Sequence, residues 1–450
     1  MSSLLDQSAL SALAERLVAA AMRAGADAAD AVAVRSVSLS VSVRQGAVEE
    51  SERAEGDDLG LRVLVGGRQA VVSTSDVTGA GIDDLAARAL AMARAAPRDP
   101  YAGLAETDRL ATDIPDLDLL DPDLPSVARL EQLARAAEDA ALAVSGVTKS
   151  GGASASAGIG GMVLVTSHGF RAGYLGSRHG LSMTAIAGEG TGMERDYDFT
   201  AALHAGDLDD AATIGRRAGE RAVARLNPRK VPTGRFPVVF DRRVSASLVG
   251  HVAAAANGAA IARKTSFLQD KRGTRIMPAG MRIVDDPLRR RGLRSRPFDA
   301  EGVAGHPLAL VDDGVLASWL LDSATARELG LATTGHAQRG ASSVPSPGPS
   351  NLHLEPGSVT PEALIGGVSR GLYVTDLIGS GVNLVTGDYS RGAAGFWIEN
   401  GERAFPVSEI TIAGHLGDML RDLAAADDLE FRYGTNAPTL RVEGLTVAGQ

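Results

Sequence analysis

The side chains in this sequence that bind metals or attack carbonyls are few and far apart. Eight histidines occur, at 168, 179, 204, 251, 306, 336, 353 and 415, and no two lie closer than eleven residues. A helical zinc hydrolase site needs two histidines on one face, with a glutamate beside the first to activate the metal-bound water. His251 stands in "SLVGHVAAAANGAAIARKTSFLQDKRG", residues 247–273, whose small apolar start reads as a helix, and it has neither partner. The chain contains no cysteine, which excludes disulfides, cysteine zinc sites, iron–sulfur clusters and thiol nucleophiles. A site gathered from distant histidines stays open beside the plainer reading of packed side chains. Ser380 in "LIGSGV" lacks the spacing of a hydrolase nucleophile elbow. "GIGGMV" at 158–163 lacks the third glycine of a dinucleotide fingerprint. Both glycine clusters read as hairpin turns.

Three charged stretches carry two readings each. Glu49 to Asp58 holds six carboxylates, which suit a metal or a peptide amine, or more simply a solvated hairpin edge that resists aggregation. "RRRGLRSR" at 289–296 carries five arginines, either a solvated loop or a docking patch for an acidic partner surface. The arginines at 216, 217, 221 and 225 share one helix and are expected on its exposed face. "SSVPSPGPSNLHLEPG" is a stiff, proline-locked path, which costs less entropy to hold in place. It fits a cavity wall, a subunit contact or an ordinary rigid loop.

The elements that must position these residues are legible from periodicity. Leu10, Leu13, Leu17 and Ala21 fall on one helical face over 8–24, and Gly25 follows as a stop. Val37, Leu39, Val41 and Val43 alternate with polar residues, as do Leu59, Leu61, Val63 and Val65. Gln45-Gly46 and Gly66-Gly67 mark hairpin turns, so an antiparallel meander with one wet face is expected. A helix near 79–95 places Ile82, Leu85, Ala89 and Met92 on one face. Residues 97–125 carry five prolines and many aspartates and read as a long surface loop. Ser126 caps a helix to about Val144, glycine-punctuated strands follow, and Asp209 and Asp210 open a helix to about Leu226. Pro228, Pro232 and Gly234 mark a linker, after which "FPVVF" is a short buried strand and further strands dominate. The expectation is an α+β protein in two domains. Residues 1–230 form a mixed helix and antiparallel-sheet domain, and residues 231–450 form an antiparallel β-rich one.

Bulk composition narrows the function classes. The chain has 450 residues, 44% hydrophobic and 22% charged, with 53 glycines and 4% aromatics. That describes a globular protein with an aliphatic core and many turns. A net charge of −10 argues against general nucleic-acid binding, which needs a basic face. Asp6 stands where a signal peptide is basic, and no apolar run reaches the ~18 residues of a membrane span. The cytoplasm is the expected compartment.

Several long blocks, in order, resemble the TldD/PmbA family, and within it the PmbA branch, also called TldE. They run from "AGADAADAVAVRSVSLSVSVRQGAVEE" and "DPYAGLAE" through "GHVAAAANGAAIARKTSFLQDKRG", "SRPFDAEGV" and "GVLASWLLDSATARELG" to "PSPGPSNLHLEPG" and "GLYVTDLIGSGVNLVTGDYSRGAAGFWIENGE". The resemblance implies two kinds of subunit. One, the TldD type, holds zinc through an H-E-x-x-x-H helix and a later cysteine. The other completes a chamber around that zinc, for unfolded peptides in microcin-type maturation and small-protein degradation. By the same resemblance Gly250, His251 and Ala255 stand at the positions of the zinc helix, so this chain is expected to bind no cofactor and to act only with a TldD-type partner. Candidates for peptide or partner contact are His251, Arg263, Lys264, Asp388, Tyr389 and Arg391. The glycine-rich C-terminal strands are candidate chamber wall. The competing expectations are an autonomous peptide-binding or chaperone-like homodimer without protease activity, and a hydrolase with an unrecognised site. Neither nucleic acid nor membrane is expected as a partner.

Overall fold

The computed structural model describes residues 6–449, so the first five residues of the N-terminal stretch and Gln450 lie outside it. The protein is α+β, with an antiparallel first sheet and a β-rich second half. The first sheet is built from β1 (Ala28–Arg44), β2 (Ala47–Val65), β3 (Arg68–Thr74), β4 (Val147–Thr166), β5 (Arg171–Ala187) and β6 (Glu194–Ala202), in the order β3-β2-β1-β4-β5-β6. The longest strands span about 60 Å at ~3.3 Å per residue. Gln45-Gly46 and Gly66-Gly67 make the two hairpin turns, each with positive φ at both residues. That backbone matches the twist of the strands it joins.

One face of this sheet carries two pairs of helices at opposite ends of the strands. α1 (Ser8–Ala24) and α2 (Ile82–Ala95) pack on Ala29, Ala31, Ala33, Leu61 and Val63. α3 (Val127–Leu142) and α4 (Ala211–Ala224) pack on Leu39, Val41, Val43, Ala155 and Met183. Ser126 caps α3 and Asp210 caps α4 through their side-chain oxygens. The residues of β1 that touch helices are all odd-numbered, as the two-residue period of a strand requires. Met92, expected inward with Leu85 and Ala89, is 47% exposed, because Ile82, Leu90 and Ala93 complete the buried stripe instead.

The opposite face is wet only over part of its length. Ser36 and Ser38 are exposed, but Val32 and Leu164 are buried under Phe298 of the second half. Residues 97–125 are irregular, as expected, yet they do not lie free on the surface. Leu104, Leu117 and Leu119 are buried, Ala111 N–H donates to Gly302 and Arg291 N–H to Leu117. The segment is a strap that ties the first sheet to the second half.

The second half holds two sheets around one core. A five-stranded sheet has the order β10-β9-β8-β13-β18, from β8 (Ile283–Asp285), β9 (Leu308–Asp312), β10 (Val315–Leu316), β13 (Leu352–Leu354) and β18 (Thr435–Asn436). β11 (Ala337–Gln338) and β12 (Ser346–Pro347) form a separate ribbon. A six-stranded sheet has the order β16-β15-β14-β7-β19-β17, from β7 (Gly234–Phe240), β14 (Arg370–Ile378), β15 (Asp388–Glu399), β16 (Glu402–His415), β17 (Leu423–Ala425) and β19 (Leu440–Ala448). Most of its ladders are antiparallel, but β14 runs parallel to β7. α5 (Arg242–Ala255) packs against β7 and β14 of this sheet and β13 and β18 of the other. No helix among the described residues is long and apolar enough to cross a membrane.

Candidate functional site

The helix that carries His251 starts earlier than the sequence pattern suggests. Asp241 caps α5 by accepting from Arg243 N–H, so the helix begins at Arg242 and not near Ser247. It ends at Ala255. Asn257 then accepts from Ala259 N–H and opens a separate short helix, Gly258–Ala262. Leu248, Val249, Val252, Ala253 and Ala255 of α5 are buried, which fixes the rotation of the helix and leaves His251 half-buried on its flank.

His251 meets Tyr389 of β15 edge to face, with ring centroids 6.1 Å apart and planes at 73°. Its Nε2 is buried with no hydrogen-bond partner, and so is the Tyr389 hydroxyl. Burial, aided by the charge of Arg391, lowers the pKa of His251. The neutral imidazole is therefore the favoured form. Burial likewise raises the pKa of Tyr389, so the phenol keeps its proton.

The positions flanking His251 differ in space. A Cβ at Gly250 would meet nothing within 4 Å. Ala255 is fully buried. Neither residue has a side-chain donor atom for a metal, and a set of one imidazole does not fit the tetrahedral N/O/S ligation zinc requires. Among the described residues no group of three or more His, Asp or Glu is gathered to hold a metal ion.

The other candidate residues are brought together only in part. Asp388 is exposed and accepts from the Thr386 hydroxyl at 2.6 Å. Tyr389 is 1% exposed and its ring is turned to His251. Arg391 Nε donates to Ile378 O at 3.4 Å. Arg263 and Lys264 follow the Gly258–Ala262 helix at the surface. Neither side chain has an ion pair among the described residues. The loop leading to Asp388 borders a cavity of about 550 Å³ lined by Phe267, Lys271, Ile276, Thr386 and His415. Two of the C-terminal glycines allow close approaches within the chain itself. A Cβ at Gly395 would fall 1.9 Å from Tyr373 O, and one at Gly381 would fall 2.3 Å from Ser390 O.

Of the four arginines expected on the exposed face of α4, Arg216 is exposed, while the other three reach carboxylates outside the helix. Arg221 reaches Asp198 at 2.9 Å, Arg217 reaches Asp209 at 3.1 Å, and Arg225 lies between Glu194, Asp196 and Asp376. Arg221 and Arg225 answer the buried carboxylates Asp198 and Asp196 of β6, a role their helical spacing alone does not disclose. Sequence reasoning passes over a second buried cluster altogether. Asp30 of β1 accepts from Arg62 at 2.5 Å and from Arg339 at 2.6 Å, all three nearly fully buried. Asp299 accepts from the backbone of Glu301, Val303 and Ala337. Burial and the nearby Asp299 push Glu301 up to about 7. The acids of "SRPFDAEGV" are thus buried and bonded to backbone of the second half, with Arg62 of the first half close enough to Glu301 to act on its charge.

Comparison with known proteins agrees with this architecture. Three descriptions of PmbA/TldA metallopeptidase regions match consecutive parts of the chain: domain 1 at 29–93, the central domain at 120–226 and the C-terminal domain at 233–449. Metalloprotease PmbA of Escherichia coli is 39% identical over 426 residues, 94% of this chain and 93% of its own. Metalloprotease PmbA homolog of Haemophilus influenzae is 39% identical over 435 residues, 95% and 94% of the two chains. A crystal structure from Bacteroides thetaiotaomicron is similar with a TM-score of 0.90 at 28% identity, covering 98% of each chain.

Proposed function

This chain belongs to the PmbA/TldD family of metallopeptidases, in its PmbA branch, and from that premise we propose that it is a subunit that completes the peptide chamber of a zinc-bearing, TldD-type partner. The observation that carries this reading is the donor set of α5. Gly250 and Ala255 offer no ligand atom beside His251, and a neutral imidazole alone is a weak hold on zinc. Hydrolysis in this reading depends on the partner, where a bound zinc would supply Lewis-acid chemistry for the scissile carbonyl and its attacking water. The contribution of this chain is enclosure. A walled site excludes bulk water and folded proteins, and it strengthens the electrostatic interactions inside. The substrates in this reading are unfolded peptides, and the compartment is the cytoplasm.

The test begins with the purified chain, its zinc content measured by mass spectrometry and its activity against casein by peptide release. The expected result is no stoichiometric zinc and no cleavage, with cleavage appearing when an H-E-x-x-x-H partner is added. Stoichiometric zinc together with casein cleavage by the chain alone overturns the proposal. A stable homodimer that binds casein and gains no activity from the partner overturns it in favour of an autonomous peptide-binding protein.

A further inference from the structure

The five arginines of "RRRGLRSR" do not act as one patch. Arg290 and Arg291 pair with Asp118 at 2.9 and 2.6 Å, and Arg291 also pairs with Asp207 at 2.9 Å. Arg296 turns inward and donates to Ala337 O. Arg289 and Arg294 have no ion pair among the described residues, and neither does Arg178 of β5. Arg289 lies over the ring of Phe431, 3.4 Å from its centroid, and burial lowers its pKa. Arg294 is seated on the backbone at Gly434, where a Cβ would fall 2.1 Å from its Nε.

These three unanswered guanidiniums line one cleft. A cavity of about 230 Å³ holds Arg289, and a cavity of about 370 Å³ holds Arg178 and Arg294. The two cavities share Ala201, Leu293 and Tyr433. The other charges facing them are already matched. Asp207 is paired with Arg291, Arg243 with Asp196, and Arg432 with Asp198 and Asp209. In a chain of net charge −10, three free cations in a concave place are a local reversal of sign, which draws anions.

The cleft lies beside β6 and β18, each the last strand of its sheet. The outward carbonyls of Tyr197 and Phe199 on β6 already accept from Arg243, Arg221 and Arg432, which discourages addition of a strand. Recognition therefore falls to side chains. A compact phosphate is usually cradled by converging backbone N–H groups. Here the amides of Gly292, Arg294 and Ser295 are bonded internally, and the cap position of α5 is filled by Asp241. Cations set along a cleft, with no such cradle, match separated single charges on an extended chain.

We propose that this cleft docks a peptide segment bearing two or more spaced carboxylates. The inference goes beyond the partner-dependent reading above and needs no catalytic subunit. The test uses the full chain and a short fluorescein-labelled peptide of alternating Glu and Gly, followed by anisotropy at low salt. The Glu peptide binds and its Gln counterpart does not. Arg178→Gln with Arg294→Gln weakens binding about tenfold or more, whereas Arg88→Gln with Arg129→Gln, the same charge change elsewhere, weakens it less than about twofold. Thermal melts of both variants confirm that they fold. Equal binding of the Gln peptide, equal weakening by the two double variants, or inorganic triphosphate displacing the peptide at lower concentration each overturns the proposal.

Discussion

Glu301→Gln should flatten a large pH dependence of stability. Glu301 is 4% exposed, accepts from Ser323 N–H at 2.8 Å, and is held with Asp299 and Asp322 on one side and Arg62 on the other. Burial is the main cause that raises its pKa from 4.5 to about 7, with Asp299 adding to it and Arg62 opposing. Between those values the folded chain keeps the proton and the unfolded chain has lost it. Folding is then favoured by the group below pH 4.5, and that contribution is lost as pH rises through about 7. The interval spans roughly 2.5 pH units, worth ~3 kcal/mol at ~1.4 kcal/mol each. Gln keeps the shape and the acceptor for Ser323 but cannot ionise. Urea unfolding followed by tryptophan fluorescence reads the effect, since Trp319 and Trp397 both lie in the second half. The stability of the native chain relative to the variant should fall by about 3 kcal/mol between about pH 4.5 and about pH 7.5. A difference that stays level over that range refutes the reasoning.

Other perturbations test the packing around the site. Gly250→Ala should raise stability by about 0.5–1 kcal/mol, because the position is an open helix interior and Ala loses less entropy than Gly; a fall in the melting temperature contradicts this. Tyr389→Phe removes a buried hydroxyl with no partner and should stabilise by about 1 kcal/mol in urea unfolding; destabilisation means that the hydroxyl is bonded in solution. Gly215→Ala places a Cβ 1.9 Å from Ala137 O, so α3 and α4 must separate, at a cost of about 1–3 kcal/mol seen as a lowered melting midpoint.

Much of the fold was legible because the first half uses long elements. Strands of seventeen to twenty residues show their two-residue period clearly, and Gln45-Gly46 and Gly66-Gly67 announce their turns. The five-stranded sheet was not legible, since strands such as Val315–Leu316 and Thr435–Asn436 have only two residues and show no period. The start of α5 was missed because Asp241, its cap, follows directly on a strand. At the candidate site, the helix of His251 could be read from small apolar spacing. Its contact with Tyr389 could not, because 138 residues of chain separate them. The pairing of Asp30 with Arg339 was hidden for the same reason. A charged residue in an alternating strand looks solvated until its partner, here Arg339, arrives from a distant part of the chain.

The two regions at 29–93 and 120–226 share a single sheet, in which β1 and β4 are paired without interruption from Asp30↔Thr166 to Val43↔Ala153. Neither region is therefore a portable module. Expressed apart, each would present a bare fourteen-residue ladder to solvent, an invitation to aggregate. A protease nick in the strap between them is another matter. Both cut ends would remain anchored, by Ala111 to Gly302 and by Ser177 to Leu119, and the severed chain should hold its shape as a two-piece protein.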